Sequence, residues 1–315
     1  MNLAVGFKLL GGPAPMWAPI ALPGPQDLIE VHLLTPGADR DVTNNQAIAA
    51  LAPFSVVLGG VDIAEAQLSF RDRGSSAELG RLQLRATQTL TTATGELGVY
   101  AVIAGAQTCE GQLLQWWHRL RQALTQHRRS APDNFRMSPA AVRQMLIFYL
   151  CPRPVVLVSV DDGTNSNLFP MDLIGPVSSG GFTLALRNTS PSVATIQNAR
   201  RVALADVAAR DRDLAYGLGR HHRQARIDWA KLPYEITHSA RFGLPVPARA
   251  LRVRECEIDC WHQIGSHTLF VGRVVSEDVR TGTPYLFHTS GIHRHYRERH
   301  AQRTPWLEAR DAPCT

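Results

Sequence analysis

The sequence predicts a mainly β (α+β) fold, with a β-rich N-terminal domain over residues 1–130 and an antiparallel β-barrel with appended helices over residues 131–315. Three observations predict it. Apolar and polar residues alternate at period two, most clearly in LGRLQLRATQTL at 79–90. Short apolar runs bounded by Gly, Pro, Asn and Asp recur along the chain, while helical patterns are few. A buried-type strand at 182–186 runs through a polar turn into a well-marked helix start, Thr189-Ser190-Pro191-Ser192.

Taken in order, residues 1–27 are rich in Pro and Gly and are expected to wrap a surface. The first strand follows at 28–34. Residues 47–57 contain Pro53, which cannot donate to a ladder, so they are expected as two short strands or as a strand edge. Strands follow at 66–70, 79–90 and 97–103. Residues 110–126 place Leu113, Leu114, Trp117, Leu120 and Leu124 along one side of an amphipathic helix. The basic, turn-like segment 127–132 reads as a linker. Ser138-Pro139 caps a helix over 140–149. Next come a strand at 155–160, a turn at 161–166 and the strand at 182–186. A strand at 203–207, a helix at 211–220 and two strands at 252–260 and 268–275 complete the pattern.

The helix start after residue 187 carries the clearest chemistry. Ser190 is expected as N-cap and Pro191 as the first helical residue. No Asp or Glu occupies the first turn. Thr189, Ser190, Ser192 and Thr195 offer hydroxyls, and Arg187 stands at the strand end. Free amides, hydroxyls and a guanidinium together suit a phosphate. An ordinary capped surface helix is the alternative.

The composition, 44% hydrophobic and 19% charged, describes a foldable globular chain. No apolar run reaches the length of a membrane span, and the start of the chain makes a poor secretory signal, so a cytoplasmic enzyme is expected. Five irregularly spaced cysteines imply no disulfide framework. Cys256 and Cys260 are expected on one side of a strand and not as metal ligands. The net charge is +6, and Lys8 and Lys231 are the only lysines. The basic run 293–303 reads as a solvated tail, and no basic–aromatic interleaving marks a nucleic-acid groove.

Two stretches resemble the flavin reductase-like family, the FMN-binding split barrels. The first comprises Pro152-Arg153-Pro154, the strand 155–160, Asn167-Leu168-Phe169-Pro170, and the strand ending at Arg187 with its Thr-Ser-Pro-Ser helix start. The second is the strand Gly265-Ser266-His267-Thr268-Leu269-Phe270-Val271-Gly272. The resemblance runs from Arg153 to about residue 280 and leaves out the first 140 residues. It implies an FMN-binding split barrel, usually a homodimer, that takes electrons from NAD(P)H and passes them to an unidentified acceptor. It places the FMN phosphate at Arg187, Asn188, Thr189, Ser190, Ser192 and Thr195. The flavin ring lies beside Asn167, Phe169, Pro170, Met171 and Asp172, with strand alternation expected to turn one of Phe169 and Met171 inward and the other outward. His267 is implied as the catalytic histidine near the ring. His221 and His222 are expected to be solvated or at the cofactor edge. A flavin-binding sensor or carrier without turnover, and a flavin-free interaction scaffold, are the alternatives. Neither a Gly-x-Gly-x-x-Gly turn after a strand nor a Gly-x-Ser-x-Gly elbow is present.

Overall fold

The alternating segments assemble into two seven-stranded antiparallel sheets, bridged by a three-stranded one. The computed structural model describes residues 17–24, 28–111, 137–177, 180–280 and 284–300. The expected helix at 110–126 falls almost wholly outside them, and the linker at 127–132 wholly so.

Strand β1 (Trp17–Leu22) opens the described chain. The first large sheet contains β2 (Ile29–Thr35), β3 (Ala38–Asp41), β4 (Gln46–Leu51), β5 (Phe54–Gly59), β6 (Glu65–Asp72), β7 (Glu78–Thr92) and β8 (Gly95–Gln107), in the order β3-β2-β6-β7-β8-β5-β4. Helix α1 (Pro139–Phe148) closes its inner face. Ser138 caps α1 as expected, its Oγ accepting the Ala141 amide at 3.1 Å. Phe148 meets Phe54 and Phe70 edge-on. Gly80 and Gly105 let the helix approach this closely, because a Cβ on either would stand about 3 Å or less from Ile147.

After β9 (Arg153–Pro154), the second large sheet is built from β10 (Val156–Asp161), β11 (Ser166–Met171), β12 (Ile174–Pro176), β13 (Gly181–Arg187), β14 (Arg201–Asp206), β17 (Arg252–Ile264) and β18 (His267–Val279). Its order is β11-β10-β14-β17-β18-β13-β12, a curled half-barrel. Helix α2 (Ser192–Ala199) packs at its mouth. Helix α3 (Arg212–Gly217), 3-10 turns and the hairpin β15 (Ile236–His238)–β16 (Pro245–Pro247) cover its other side. The barrel interior holds Val156, Val158, Phe169, Met171, Leu184, Leu186 and Phe270. Phe169 and Met171 both point inward. They are two residues apart, and a strand repeats at two, so they share a face. Cys256 and Cys260 part company for a related reason. A bulge between Ile258 and Cys260 shifts the register, leaving Cys256 in the interior and Cys260 against the opposite face.

Strand β19 (Tyr285–Ser290) lies between β1 and β9 and joins the two halves. The Pro-rich N-terminal region thus supplies a paired, largely buried strand where only a surface wrap was expected. The basic run is also structured through residue 299, as helix α4 (Gly291–Arg299), capped by Ser290. It docks on the N-terminal sheet through Ile292 and Tyr296, with Arg297 reaching Asp72 at 3.4 Å. His293 is fully buried there. Among the described residues, no helix is long and apolar enough to cross a membrane.

The two large sheets also touch directly. Ala47, Ala49, Ala50, Val57, Leu97 and Val99 meet Val177, Ala185, Leu269 and Val271. At one edge, the β17–β18 turn rests on the β4–β5 corner: Ser266 N donates to Ala52 O at 2.8 Å. Gly265 holds this turn at φ +51°, and a Cβ there would stand 2.4 Å from Ala52 O. Gly265→Ala is expected to destabilise the protein by about 2–4 kcal/mol, combining left-handed strain with a backbone clash. Gly163, at φ +87° with open space around its Cβ position, supplies the control. Urea unfolding of Gly265→Ala and Gly163→Ala separates strain from docking; equal losses would remove the docking role.

Burial first, and then Arg297, hold His293 neutral, pushed down to about 3 from an ordinary 6.5. The unfolded chain takes up a proton near pH 6.5 that the fold refuses until about pH 3. Stability is therefore lost as pH falls through this window. His293 is expected to contribute about 2 kcal/mol of loss between pH 6.5 and 5. Urea midpoints across this range should fall less steeply for His293→Gln; an unchanged slope would place the acid sensitivity elsewhere.

Candidate functional site

Strand β13 ends at Arg187, whose cross-strand partner on β18 is His267. Paired residues of an antiparallel ladder point to the same side, here the side that faces the N-terminal sheet. Partial desolvation, and then the field of Arg223, pull the Arg187 guanidinium down. Two cations therefore feel each other at the start of α2, whose first turn carries no acid.

The start of α2 differs from its expected form. Helix α2 begins one residue later, and Pro191 occupies the N-cap position with no side-chain cap bond. Ser190 Oγ instead donates to the carbonyl of His222 at 3.3 Å. Ser138-Pro139 and Ser190-Pro191 are the same dipeptide, and a distant carbonyl decides between their fates. Ser192 and Thr195 are buried. Ser192 Oγ accepts from Asn167, and Thr195 Oγ1 donates back to Pro191 O at 3.5 Å. Asn188 braces the β17–β18 turn, donating to Gly265 O at 2.9 Å and accepting from Thr268 at 3.0 Å. Of the hydroxyl side chains, Thr189 is exposed and Ser190 half-buried, while Arg187 is exposed beside them.

The edge strand β11 is covered by residues 218–227. His221 Nδ1 donates to Leu168 O at 2.8 Å, and His222 Nε2 donates to Pro170 O at 2.6 Å; a carbonyl only accepts, so each of these nitrogens carries the proton. The ring of His222 lies 4.9 Å from that of Phe169. Burial pushes the His222 imidazole down. His221 is buried, so its expected solvation does not hold. Asn167 clamps this segment. Its amide nitrogen faces Ser192 Oγ, His221 O and Gln224 O at 3.1, 2.9 and 2.7 Å.

Asp172 lies beyond the end of β11 in a half-buried polar chain. His288 Nδ1 meets Asp172 Oδ2 at 2.8 Å, and Tyr216 Oη meets His288 Nε2 at 2.7 Å. Burial raises the Asp172 carboxyl, but bonds from His288 and Tyr149 outweigh it and hold it low. His267 is 1% exposed, beneath the β4–β5 corner. Its Nδ1 lies 2.8 Å from Ser266 Oγ and 3.5 Å from the Leu51 amide. Burial, and then Arg187, push it down to about 4.

The structure therefore brings together Arg187, Asn188, Thr189, Ser190 and His267 at one rim. It turns Ser192, Thr195 and Asn167 inward, sets Phe169 and Met171 in the barrel, and gives Pro170 and Asp172 to local partners. Sequence reading missed Arg223 and Ser266. The only available signals were the cation-rich run Arg220-His221-His222-Arg223 and the serine inside Gly265-Ser266-His267.

These features define a curled antiparallel half-barrel with a cationic, hydroxyl-bearing rim. Residues 148–296 match the sequence model of the flavin reductase like domain, so the C-terminal half is a flavin reductase-like domain. Solved structures similar to the chain include an FMN-binding protein from Thermus thermophilus with bound 1-cyclohex-2-enone, at 25% identity and TM-score 0.37, over 42% of this chain and 72% of that one. Another is an NADH:FAD oxidoreductase from Streptomyces globisporus, at 20% identity and TM-score 0.43, over 51% and 95%. A third is BorF, the flavin reductase component of a bacterial two-component tryptophan halogenase, at 20% and 0.42, over 47% and 93%. No curated protein matches the chain.

Asn167→Ala is expected to leave the carbonyls of His221 and Gln224 short of a donor, at a cost of about 3 kcal/mol. Amide exchange at His222 to Gln224 should accelerate alongside. Protection unchanged from wild type would show that Asn167 does not hold this segment.

Proposed function

We propose that this protein is an FMN-binding oxidoreductase that takes electrons from NAD(P)H and passes them to a separate acceptor. The observation that carries the reading is the rim at α2. Two guanidiniums, Arg187 and Arg223, stand there with the hydroxyls of Thr189 and Ser190, and the first turn of the helix carries no acid. Cations beside a helix N-terminus favour a dianionic phosphate. These residues fit the phosphate end of FMN. Ser192 and Thr195 support it indirectly, by seating α2 against the barrel.

Bound flavin supplies two-electron redox chemistry at its ring, and the protein supplies binding, orientation and access. Arg187 and the α2 amides fix the phosphate. His267, held neutral, orients a ligand through a hydrogen bond and does not deliver a proton near neutral pH. Its burial under the β4–β5 corner makes the N-terminal sheet a wall of the same rim. A homodimer would form on surfaces other than the face this sheet covers.

FMN is expected to bind more tightly than riboflavin, which lacks the phosphate. Hydrogen bonds to charged groups are worth about 1.5–3 kcal/mol each, so one such bond makes a gap of tenfold or more. Arg187→Gln should narrow that gap. Fluorescence titration of both ligands into both proteins measures it. Equal affinity for FMN and riboflavin in wild type would remove the phosphate site. Anaerobic addition of NADH or NADPH to the FMN complex then separates a reductase from a carrier, since only the reductase bleaches the flavin.

A further inference from the structure

We propose that the N-terminal half is a second copy of the half-barrel, fused into the chain as a built-in partner for the flavin reductase-like half. This copy has lost its anion site, so one chain makes the whole paired unit with a single flavin rim. Connectivity shows the repeat first. In each large sheet one hairpin forms an edge (β2–β3, β10–β11), and the next hairpin forms the opposite edge (β4–β5, β12–β13). A single strand then returns beside the first hairpin (β6, β14), and a long hairpin fills the gap (β7–β8, β17–β18). Seven strands laid down in the same order at the same places are one architecture used twice.

The match is finer than topology. The hairpins β7–β8 and β17–β18 each carry two bulges, with Thr87 and Ile103 as the extra residues of the first, and Asp259 and Val275 of the second. The last pairs before the turns are Thr92–Gly95 and Ile264–His267. Thr87 and Asp259 each stand five positions before the last paired residue of their strand, and Ile103 and Val275 each stand eight positions after the first of theirs. A bulge is a local register choice kept within a family, and here two coincide. Aligned on them, Leu97 matches Leu269 and Val99 matches Val271, and all four lie in the cluster between the sheets. Through the pairs Gly59–Leu97 and Ala185–Leu269 the alignment reaches β4 and β12, where Ala47 matches Gly175. Those two residues touch: a Cβ on Gly175 would stand 3.0 Å from Ala47 Cβ. A position in contact with its own equivalent marks a two-fold axis. A joint to which both sides bring the same strands is isologous, the form taken by two copies of one subunit.

The two halves differ where the flavin rim stands. Strand β13 runs past Ala185 to Arg187, opposite His267, and residues 188–200, which include α2, lead on to β14. In the N-terminal copy β5 stops at Gly59, the match of Ala185, and residues 60–64 lead straight to β6. Gly95 stands at the position of His267. The helix, the guanidinium and the histidine have no counterpart at these positions, so this copy offers no cradle for a phosphate. What it keeps is the joint, with Ala47, Ala49, Ala50, Val57, Leu97 and Val99 packed on the other half. That face is therefore filled from within, by this chain's own N-terminal half and not by a second chain. The single rim rests on the flavin-site reading; the internal pairing does not.

Sedimentation equilibrium of the full chain should give the mass of one chain, 34.7 kDa, throughout the micromolar range. FMN titration of the same sample should saturate at one equivalent per chain. A stable two-chain particle, or uptake of two FMN per chain, would overturn the proposal. The double variant Ala47→Cys/Gly175→Cys reads the joint itself, because two Cβ atoms this close are within reach of a disulfide. After oxidation it should migrate as one disulfide-closed chain without reductant, with oxidised wild type as the control for the native cysteines. A two-chain band absent from that control would show that the joint forms between copies, and would overturn the internal pairing. If the double variant fails to fold, the mass and stoichiometry of wild type decide alone. A wild type that binds no FMN ends the flavin reading and leaves the pairing to the mass and the cross-link.

Discussion

The face-to-face contact between β4–β5 and β13–β18 is the constraint on which the rest depends. It is made by small and branched residues, Ala47, Ala49 and Ala50 against Ala185, Leu269 and Val271. Small side chains let two backbones approach, and the approach is close. A Cβ on Gly175 of β12 would stand 3.0 Å from both Ala47 Cβ and Gln46 O. Only at this separation can the β4–β5 corner exchange hydrogen bonds with Ser266. A bulky residue in β4 would part the sheets, admit water to His267 and release the turn that Asn188 braces.

Closeness of this kind obliges the polar groups at the joint to find partners within it. Arg153 meets this through its two terminal nitrogens. It is 5% exposed, donates to Gln46 O at 3.1 Å and to Gln46 Oε1, and lies 4.1 Å over the ring of Phe148. Desolvation of its charge is costly and pulls the guanidinium down. Such an ion contributes little net stability, but removing one partner would leave a buried group unmet. The chain Tyr216–His288–Asp172, joined by Tyr149, obeys the same logic and ties α3, β19, β11 and α1 together. These contacts select one relative placement of the halves more than they add energy.

The rim at α2 follows from the same joint. Arg187 and His267 face the N-terminal sheet because they are cross-strand partners on the side it covers. Asn167 and Ser190 hold the segment that carries Arg223 against β11 and α2. Two guanidiniums, a buried histidine and the covering sheet thus meet at one edge.

Much of this was legible in the sequence. Period-two alternation marked β6 and β7, an apolar run marked β8, Pro53 marked the break between β4 and β5, and Ser138-Pro139 marked the start of α1. Arg187, the strand that carries it and the helix that follows were also readable, because strand periodicity and turn chemistry are local properties. The tertiary structure decided the rest. Ser190 gave up its capping role for a carbonyl 32 residues away, and His221 and His222 became edge donors for β11. The basic run, through residue 299, folded as a docked helix because Asp72 and an apolar face received it. His267 came to rest under an amide from a strand 216 residues earlier. A side chain's periodicity is written in its neighbours along the chain, but its hydrogen-bond partner and its exposure belong to whichever distant backbone closes over it.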